Sequence, residues 1–419
     1  MSKSTKGSGT SWVGRAIRRL EDPALVRGRG RFTADLHAAN SVKFARSPVA
    51  AGRIKAVKGP AGARIITATD LSDVKPIRPM LHKFNYRPIA QPILASGIVR
   101  FVGECVAAAI APTEEEAEDI VDGIEIDIEE TEPIVGVHDA ISSTREPVHT
   151  EAPGNIVVEG QIKTPGFDTT WASATKIIKL QVRSHRQSAS PIEPRAAHAS
   201  YDWPTGRITL TYTTQAPHLM RTAIADLLGL PEADLRVIAP DVGGSFGQKM
   251  SLAPECVVIV WLARTYRSSF AWIEDRRDNL IAGLHSRDQH ISLEGAFDES
   301  GRLLALSADV LANIGAYSCF PTTCGVEPLM AMVEMPGPYD VRQYACRARG
   351  ITTNTCTMGP YRGVSRPAIT FALERLIDEA AHGLDLDPVE IRRRNLIDTF
   401  PYTSATGLVH DQSSHLENT

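Results

Sequence analysis

Apolar and polar positions alternate singly in parts of this chain and recur every third or fourth residue in others, and the change of period predicts its elements. Residues 98–111 form an apolar run closed by Pro112, the pattern of a strand. Thr113 with Glu116 makes a capping box, and the apolar face Ala117, Ile120, Val121 and Ile124 behind it predicts a helix. Ile126 and Ile128 then alternate with acids over 125–130, as in a half-exposed strand. Strand, helix and strand predict a compact α/β unit ending near residue 140. Residues 142–160 show no period but carry Pro147, Pro153 and Gly154, which reads as a linker.

A second α/β unit is predicted beyond it. Ile208, Leu210 and Tyr212 alternate with polar residues over 207–215, residues 219–228 have helical spacing with Gly229 in the stop position, and 235–239 is an apolar strand. Residues 301–312 predict another strand. Pro367 begins an apolar helix through Ile369, Leu373, Leu376, Ile377 and Ala380 that stops at Gly383, and Asp387, Pro388 and Glu390 open a shorter one. After Phe400 the pattern dissolves into a polar tail. The expected organisation is a lead-in over 1–24, a first domain over 25–140, a linker over 141–160, a larger domain over 161–400 and an irregular tail over 401–419.

With 419 residues the chain is long enough for two or three domains. A net charge of −4 gives no reason to expect nucleic acid or an acidic membrane as partner. The densest apolar stretch, 256–263, falls far short of the ~20 residues that span a bilayer, and the first ten residues lack the apolar segment of a secretory signal, so a cytoplasmic location is expected. None of the six cysteines stands in Cys-x-x-Cys spacing and the twelve histidines are scattered, so buried thiols are expected and any metal would arrive on an organic carrier.

Between the strand at 235–239 and the next apolar helix lies Asp241-Val242-Gly243-Gly244-Ser245-Phe246-Gly247-Gln248-Lys249-Met250. Closely spaced glycines let a backbone approach a ligand and turn several N–H groups toward one anionic or oxo-rich group. The spacing misses the dinucleotide fingerprint Gly-x-Gly-x-x-Gly, and Gln248 between Gly247 and Lys249 breaks the phosphate-loop pattern. A tight strand-to-helix turn needing glycine for its backbone alone remains open from this segment, as does a plain nucleotide-binding dehydrogenase.

Several segments in order resemble the molybdenum-binding large subunit of the xanthine oxidase family, which includes xanthine dehydrogenases, aldehyde oxidases and carbon monoxide dehydrogenases. They are Gly14-Arg15, Glu21-Asp22 and 28–32, then Val102-Gly103-Glu104, Ile192-Glu193-Pro194-Arg195, Thr214-Gln215-Ala216-Pro217-His218 and the glycine loop. Trp272-Ile273-Glu274-Asp275-Arg276-Arg277, Gly315-Ala316-Tyr317, Gly337-Pro338-Tyr339-Asp340 and Gly359-Pro360-Tyr361-Arg362-Gly363 complete the series. The resemblance implies an α/β (α+β) chain with an N-terminal α/β-hammerhead domain followed by the first molybdenum-cofactor-binding domain, the second cofactor-binding domain being missing. It implies a hydroxylase whose oxygen comes from water, with molybdenum held by molybdopterin, in the dinucleotide form expected of a bacterial protein. Electrons would leave through 2Fe-2S clusters to FAD, on an iron-sulfur small subunit and an FAD-binding medium subunit.

The resemblance also assigns positions. Gln215 matches the glutamine that hydrogen-bonds the apical oxo ligand. Gly244, Phe246 and Gly247 match the loop beside the metal, with the Phe246 ring bordering the substrate, and Arg362 and Gly363 match the second segment of the site. Gly363 stands where carbon monoxide dehydrogenases carry a copper-binding cysteine, which argues against a copper site. Met250 stands where purine-oxidising members place a glutamate, and Val364 where they place an aromatic, so the implied substrate pocket of Phe246, Met250 and Val364 favours an aldehyde or N-heteroaromatic compound over a purine. The family's general-base glutamate, in a Gly-Glu pair, is expected outside this chain, because Gly103-Glu104 belongs to the first unit and Asp411 and Glu417 lie in the tail. A second large-subunit chain or the missing C-terminal half would supply it. The alternative is a truncated fragment that binds no cofactor alone.

Overall fold

The computed structural model describes residues 15–411 except His82. The start of the expected lead-in and the end of the expected tail, Glu417 included, lie outside the described residues.

The architecture is mixed α/β, and its largest sheet is built from both predicted units. Seven strands run in the order Leu235–Ile238, Ile208–Tyr212, Ala196–Tyr201, Ser269–Ile273, Asn40–Arg46, Cys105–Ala111 and Arg64–Thr67. The junction is the parallel pair of Asn40–Arg46 with Ser269–Ile273, so a ladder joins segments more than 200 residues apart. On this sheet lies the helix Pro254–Tyr266, whose residues from Cys256 to Val260 are fully buried. A helix apolar on nearly every side belongs in a core, and it packs with Tyr212, Phe270 and Trp272 in the largest apolar cluster. A five-stranded sheet (Ile156–Lys163, Gln343–Thr352, Leu303–Gly315, Gln289–Phe297, Lys176–Ser184) carries the second large cluster under the helix Arg366–Gly383.

Most predicted elements are present. Thr113 accepts a hydrogen bond from the Glu116 N–H at the start of Glu114–Asp122, and Asp387 accepts from the N–H groups of Val389 and Glu390 at the start of Pro388–Asn395. Three differences have tertiary causes. The run 98–111 is two strands in different sheets, split by a turn where Gly103 takes φ +97°. The stretch 141–160 already contains the start of the strand Ile156–Lys163, whose pairing with the strand Gln343–Thr352 decides its conformation. The described part of the expected irregular tail forms a short hairpin, Tyr402–Thr403 with Val409–His410, in which Tyr402 is buried.

The seam between the first unit and the rest is polar and buried. Tyr317 Oη donates to Glu104 Oε1 (2.6 Å), and the Arg100 N–H donates to Glu104 Oε2 (2.6 Å). His149 Nε2 meets the Ala316 carbonyl at 2.6 Å and is therefore the donor. Burial, helped by Arg100, pulls the His149 pKa from 6.5 down to about 4. An imidazole that resists protonation when folded makes the unfolded chain take up the proton first, so its contribution is complete above about pH 6.5 and lost as pH falls toward about 4. The melting temperature of the wild type is expected to fall between about pH 7 and about pH 5, and that of His149→Gln to fall less. Parallel pH profiles for the two proteins would remove the assignment.

Candidate functional site

The glycine loop is held from one side by a buried ion pair. Lys249 Nζ and the Gly243 N–H both donate to Glu193 Oε2, each at 2.7 Å. Lys249 is fully buried; burial pulls its ammonium pKa down, with Glu193 opposing. A Cβ on Gly243 would lie 2.5 Å from Glu193 Cβ, so the loop approaches this closely only with glycine there.

From the other side Gln215 organises the loop. Its Oε1 accepts from Ser245 Oγ and, at 3.1 Å, from the Gly247 N–H. Because the Gly247 N–H can only donate, the amide orientation is fixed with its oxygen toward the loop. The Gln215 NH2 group is left without a protein partner among the described residues, on an exposed side chain.

The second segment closes on the first. The Arg362 N–H donates to the Phe246 carbonyl (2.9 Å), and a Cβ on Gly247 would meet the Pro360 carbonyl oxygen at 2.5 Å. The turn that achieves this is clamped by the buried Arg287 guanidinium, which donates to the carbonyls of Tyr361 (3.2 Å), Arg362 (2.6 Å) and Val364. With its carbonyls held, the segment leaves the Arg362 side chain exposed and, among the described residues, without a hydrogen-bond or ion-pair partner. Phe246 and Val364 have φ +54° and +53°, and non-glycine residues in that left-handed region concentrate at sites of function.

The structure thus brings Gln215, Gly247, Phe246 and Arg362 into one cluster. Gly244, at φ +94°, lies against the Phe246 ring, where a Cβ would sit 3.2 Å away. Gly363 continues the clamped turn at φ +90°. Met250 and Val364 flank the cluster, half-buried, through backbone bonds to Gly247 and Tyr361. Ser245, Arg287 and the Glu193–Lys249 pair carry the geometry without having been singled out from sequence. The Ile192-Glu193-Pro194-Arg195 motif was a signal for Glu193, whereas nothing local marks Arg287.

Chemically the cluster is rich in unused donors. The Phe246 and Gly363 N–H groups have no hydrogen-bond partner among the described residues, and to them add the Gln215 NH2 group and the Arg362 guanidinium. Phe246 itself is 45% exposed. This donor set fits an organic anion bearing oxo and phosphate oxygens, which it can meet by hydrogen bonds without a protein ligand to metal. Glu104 is no part of it, being committed to the seam with Tyr317. Asp411 is exposed at the end of the described chain.

Comparison with known proteins identifies the family. The molybdopterin cofactor-binding domain model matches residues 148–396, and the aldehyde oxidase and xanthine dehydrogenase a/b hammerhead domain model matches 27–132. The nicotine 6-hydroxylase large subunit of Paenarthrobacter nicotinovorans is 32% identical across 97% of this chain and 51% of its own length. The carbon monoxide dehydrogenase large chain of Afipia carboxidovorans is 30% identical across 95% of this chain and 52% of its own. Among solved structures, quinoline 2-oxidoreductase from Pseudomonas putida 86 superposes with a TM-score of 0.91 at 34% identity, covering 96% of this chain and 52% of that one. The chain spans about half the length of the curated relatives it matches. With a hammerhead domain followed by a molybdopterin cofactor-binding domain, it belongs to the xanthine oxidase family of molybdenum-binding large subunits.

Proposed function

We propose that this chain forms half of the cofactor pocket of a molybdenum hydroxylase acting on an N-heteroaromatic or aldehyde substrate, with water as the source of oxygen. The observation that carries this reading is the Gln215 side chain, whose carbonyl is spent on Ser245 and Gly247, on either side of Phe246, so that its NH2 group is left free of protein partners among the described residues. When bound, molybdopterin would supply the redox chemistry, and the chain would supply binding and orientation. The Gln215 NH2 group would hold an oxo oxygen, the Phe246 and Gly363 N–H groups and Arg362 would bind pterin or phosphate oxygens, and the Phe246 ring would flank a flat substrate. Met250 and Val364 provide no hydrogen-bonding side chain for a purine edge, and the similarity to nicotine and quinoline enzymes supports a heteroaromatic ring. A second polypeptide, or the remainder of a longer chain, would close the pocket and bring the general-base glutamate. Electrons would pass to 2Fe-2S and FAD subunits. The cofactor form expected is the dinucleotide.

Gln215→Glu tests the role of the outward donor. A carboxylate keeps an acceptor for Ser245 and Gly247 but has no N–H to offer, so the fold is expected to persist while turnover by the assembled enzyme falls about 10²-fold, the scale of losing one positioned donor. Metal analysis and steady-state kinetics on the complex check it. Unchanged turnover with normal metal content would defeat the assignment, and a complex that purifies without molybdenum in the wild type would point to the cofactor-free fragment.

A further inference from the structure

Behind the glycine loop is a cavity of about 40 Å3 walled by Arg46, Gln248, Ser251, Glu255, Cys319 and Thr357, among others. Its walls come from both halves of the candidate site. Gln248 and Ser251 follow Gly247 in the glycine loop, while Thr357 leads into Gly359-Pro360 of the second segment. Ser251, Glu255 and Thr357 are each only 3% exposed. Yet Thr357 Oγ1, Glu255 Oε2 and Ser251 Oγ have no hydrogen-bond partner among the described residues, the Cys319 sulfur beside Ser251 being at most a weak acceptor. Buried oxygens of this kind are nearly always satisfied in native proteins, by protein or by ordered water.

The charges around the cavity narrow its occupant. Glu255 Oε1 is 3.0 Å from Arg46 Nη2 and 3.5 Å from Arg195 Nη2, so an anion would face a carboxylate and a cation would face two guanidiniums. A neutral dipole able both to donate and to accept suits both signs. At roughly 10–15 Å3 per molecule, the volume accommodates about three or four waters.

We infer that this cavity is a structural hydration site, in which ordered water bridges Thr357 Oγ1, Glu255 Oε2 and Ser251 Oγ and so ties the glycine loop to the second segment from behind. Where direct contacts join the two segments in front, through Phe246 with Arg362 and Gly247 with Pro360, the water joins them at the back. The inference rests on the chain's own packing and is independent of what the front face binds.

Thr357→Val separates a wet cavity from a dry one by sign. The two side chains have nearly the same shape. If Thr357 Oγ1 holds water, its loss leaves that water short of a partner, and the melting temperature of the purified full chain, with any subunits that accompany it, is expected to fall by ~2 °C or more. If the hydroxyl is dry, removing it relieves a buried unsatisfied group, and the melting temperature stays or rises, which overturns the inference. A high-resolution structure of the unaltered protein is the second measurement. Ordered solvent within hydrogen-bond reach of both Thr357 Oγ1 and Glu255 Oε2 supports the site; an empty cavity there refutes it, whatever the variant does.

Discussion

Replacing Glu274 by alanine is expected to destabilise the chain by roughly 3–5 kcal/mol, the scale on which removing one partner strands the other as a buried charge. The Glu274 side chain is fully buried, and both of its oxygens are used. Arg195 donates to them through Nε (3.0 and 3.1 Å), through Nη2 and through its own backbone N–H (3.0 Å). Asn279 Nδ2 adds a further bond at 2.8 Å. Beyond Arg195 the network continues through Glu255 to Arg46 and Asp278, joining the second unit to the strand Asn40–Arg46 of the first. Burial pushes the Glu255 pKa up, but Arg195 and Arg46 outweigh it and hold it at about 2. Removing Glu274 therefore leaves Arg195, among the described residues, with Glu255 as its remaining carboxylate partner, at a seam between sequence-distant strands. Glu274→Gln retains the shape and one acceptor, and should cost less than the alanine variant. Denaturant unfolding of the two variants beside wild type decides the matter. A loss under about 1 kcal/mol for alanine would mean that the network is no more than a surface-like pair. Asn279 also reaches Gln248 Oε1 at 3.3 Å, so the alanine variant should loosen the glycine loop from beneath as well.

Gly247→Ala is expected to cut cofactor retention about tenfold or more while leaving the two apolar clusters folded. Gly247 has φ +109°, a conformation that L side chains rarely adopt, and an added Cβ would lie 2.5 Å from the Pro360 carbonyl oxygen and 2.9 Å from its carbon. Those are backbone atoms of the residue that precedes the Arg287-clamped turn, and they cannot swing aside as a flexible side chain could. The loop must withdraw, breaking the Arg362-to-Phe246 bond and the Gly247-to-Gln215 bond that orients the amide. Molybdenum content of the assembled complex should drop by about tenfold or more, the scale on which loss of outer-shell support is felt. The comparison that isolates the cause is Gly62→Ala, since Gly62 also has positive φ, at +79°, but open space around it. Equal metal loss in both variants would show that backbone strain in general, and not closure of the two segments, governs binding.

Local patterning already determined a good part of this protein. The helix Glu114–Asp122 with its Thr113 cap, the apolar helix Arg366–Gly383 and the strand Leu235–Ile238 feeding the glycine loop follow from periodicity and end signals, because near neighbours along the chain settle them. The family was legible too, and Gln215, Phe246, Gly247 and Arg362, which the fold brings into one cluster, sit in motifs a few residues long. Tertiary structure alone decided the rest. A ladder joined Asn40–Arg46 to Ser269–Ile273 and so made one sheet of two predicted units, and pairing turned the end of a linker into the strand Ile156–Lys163. The orientation of Gln215 depends on Gly247, and the shape of the 361–364 turn on Arg287, partners respectively 32 and at least 74 residues away. No local pattern encodes such pairs, because a hydrogen bond's direction and a cavity's walls exist only once distant segments have been packed together.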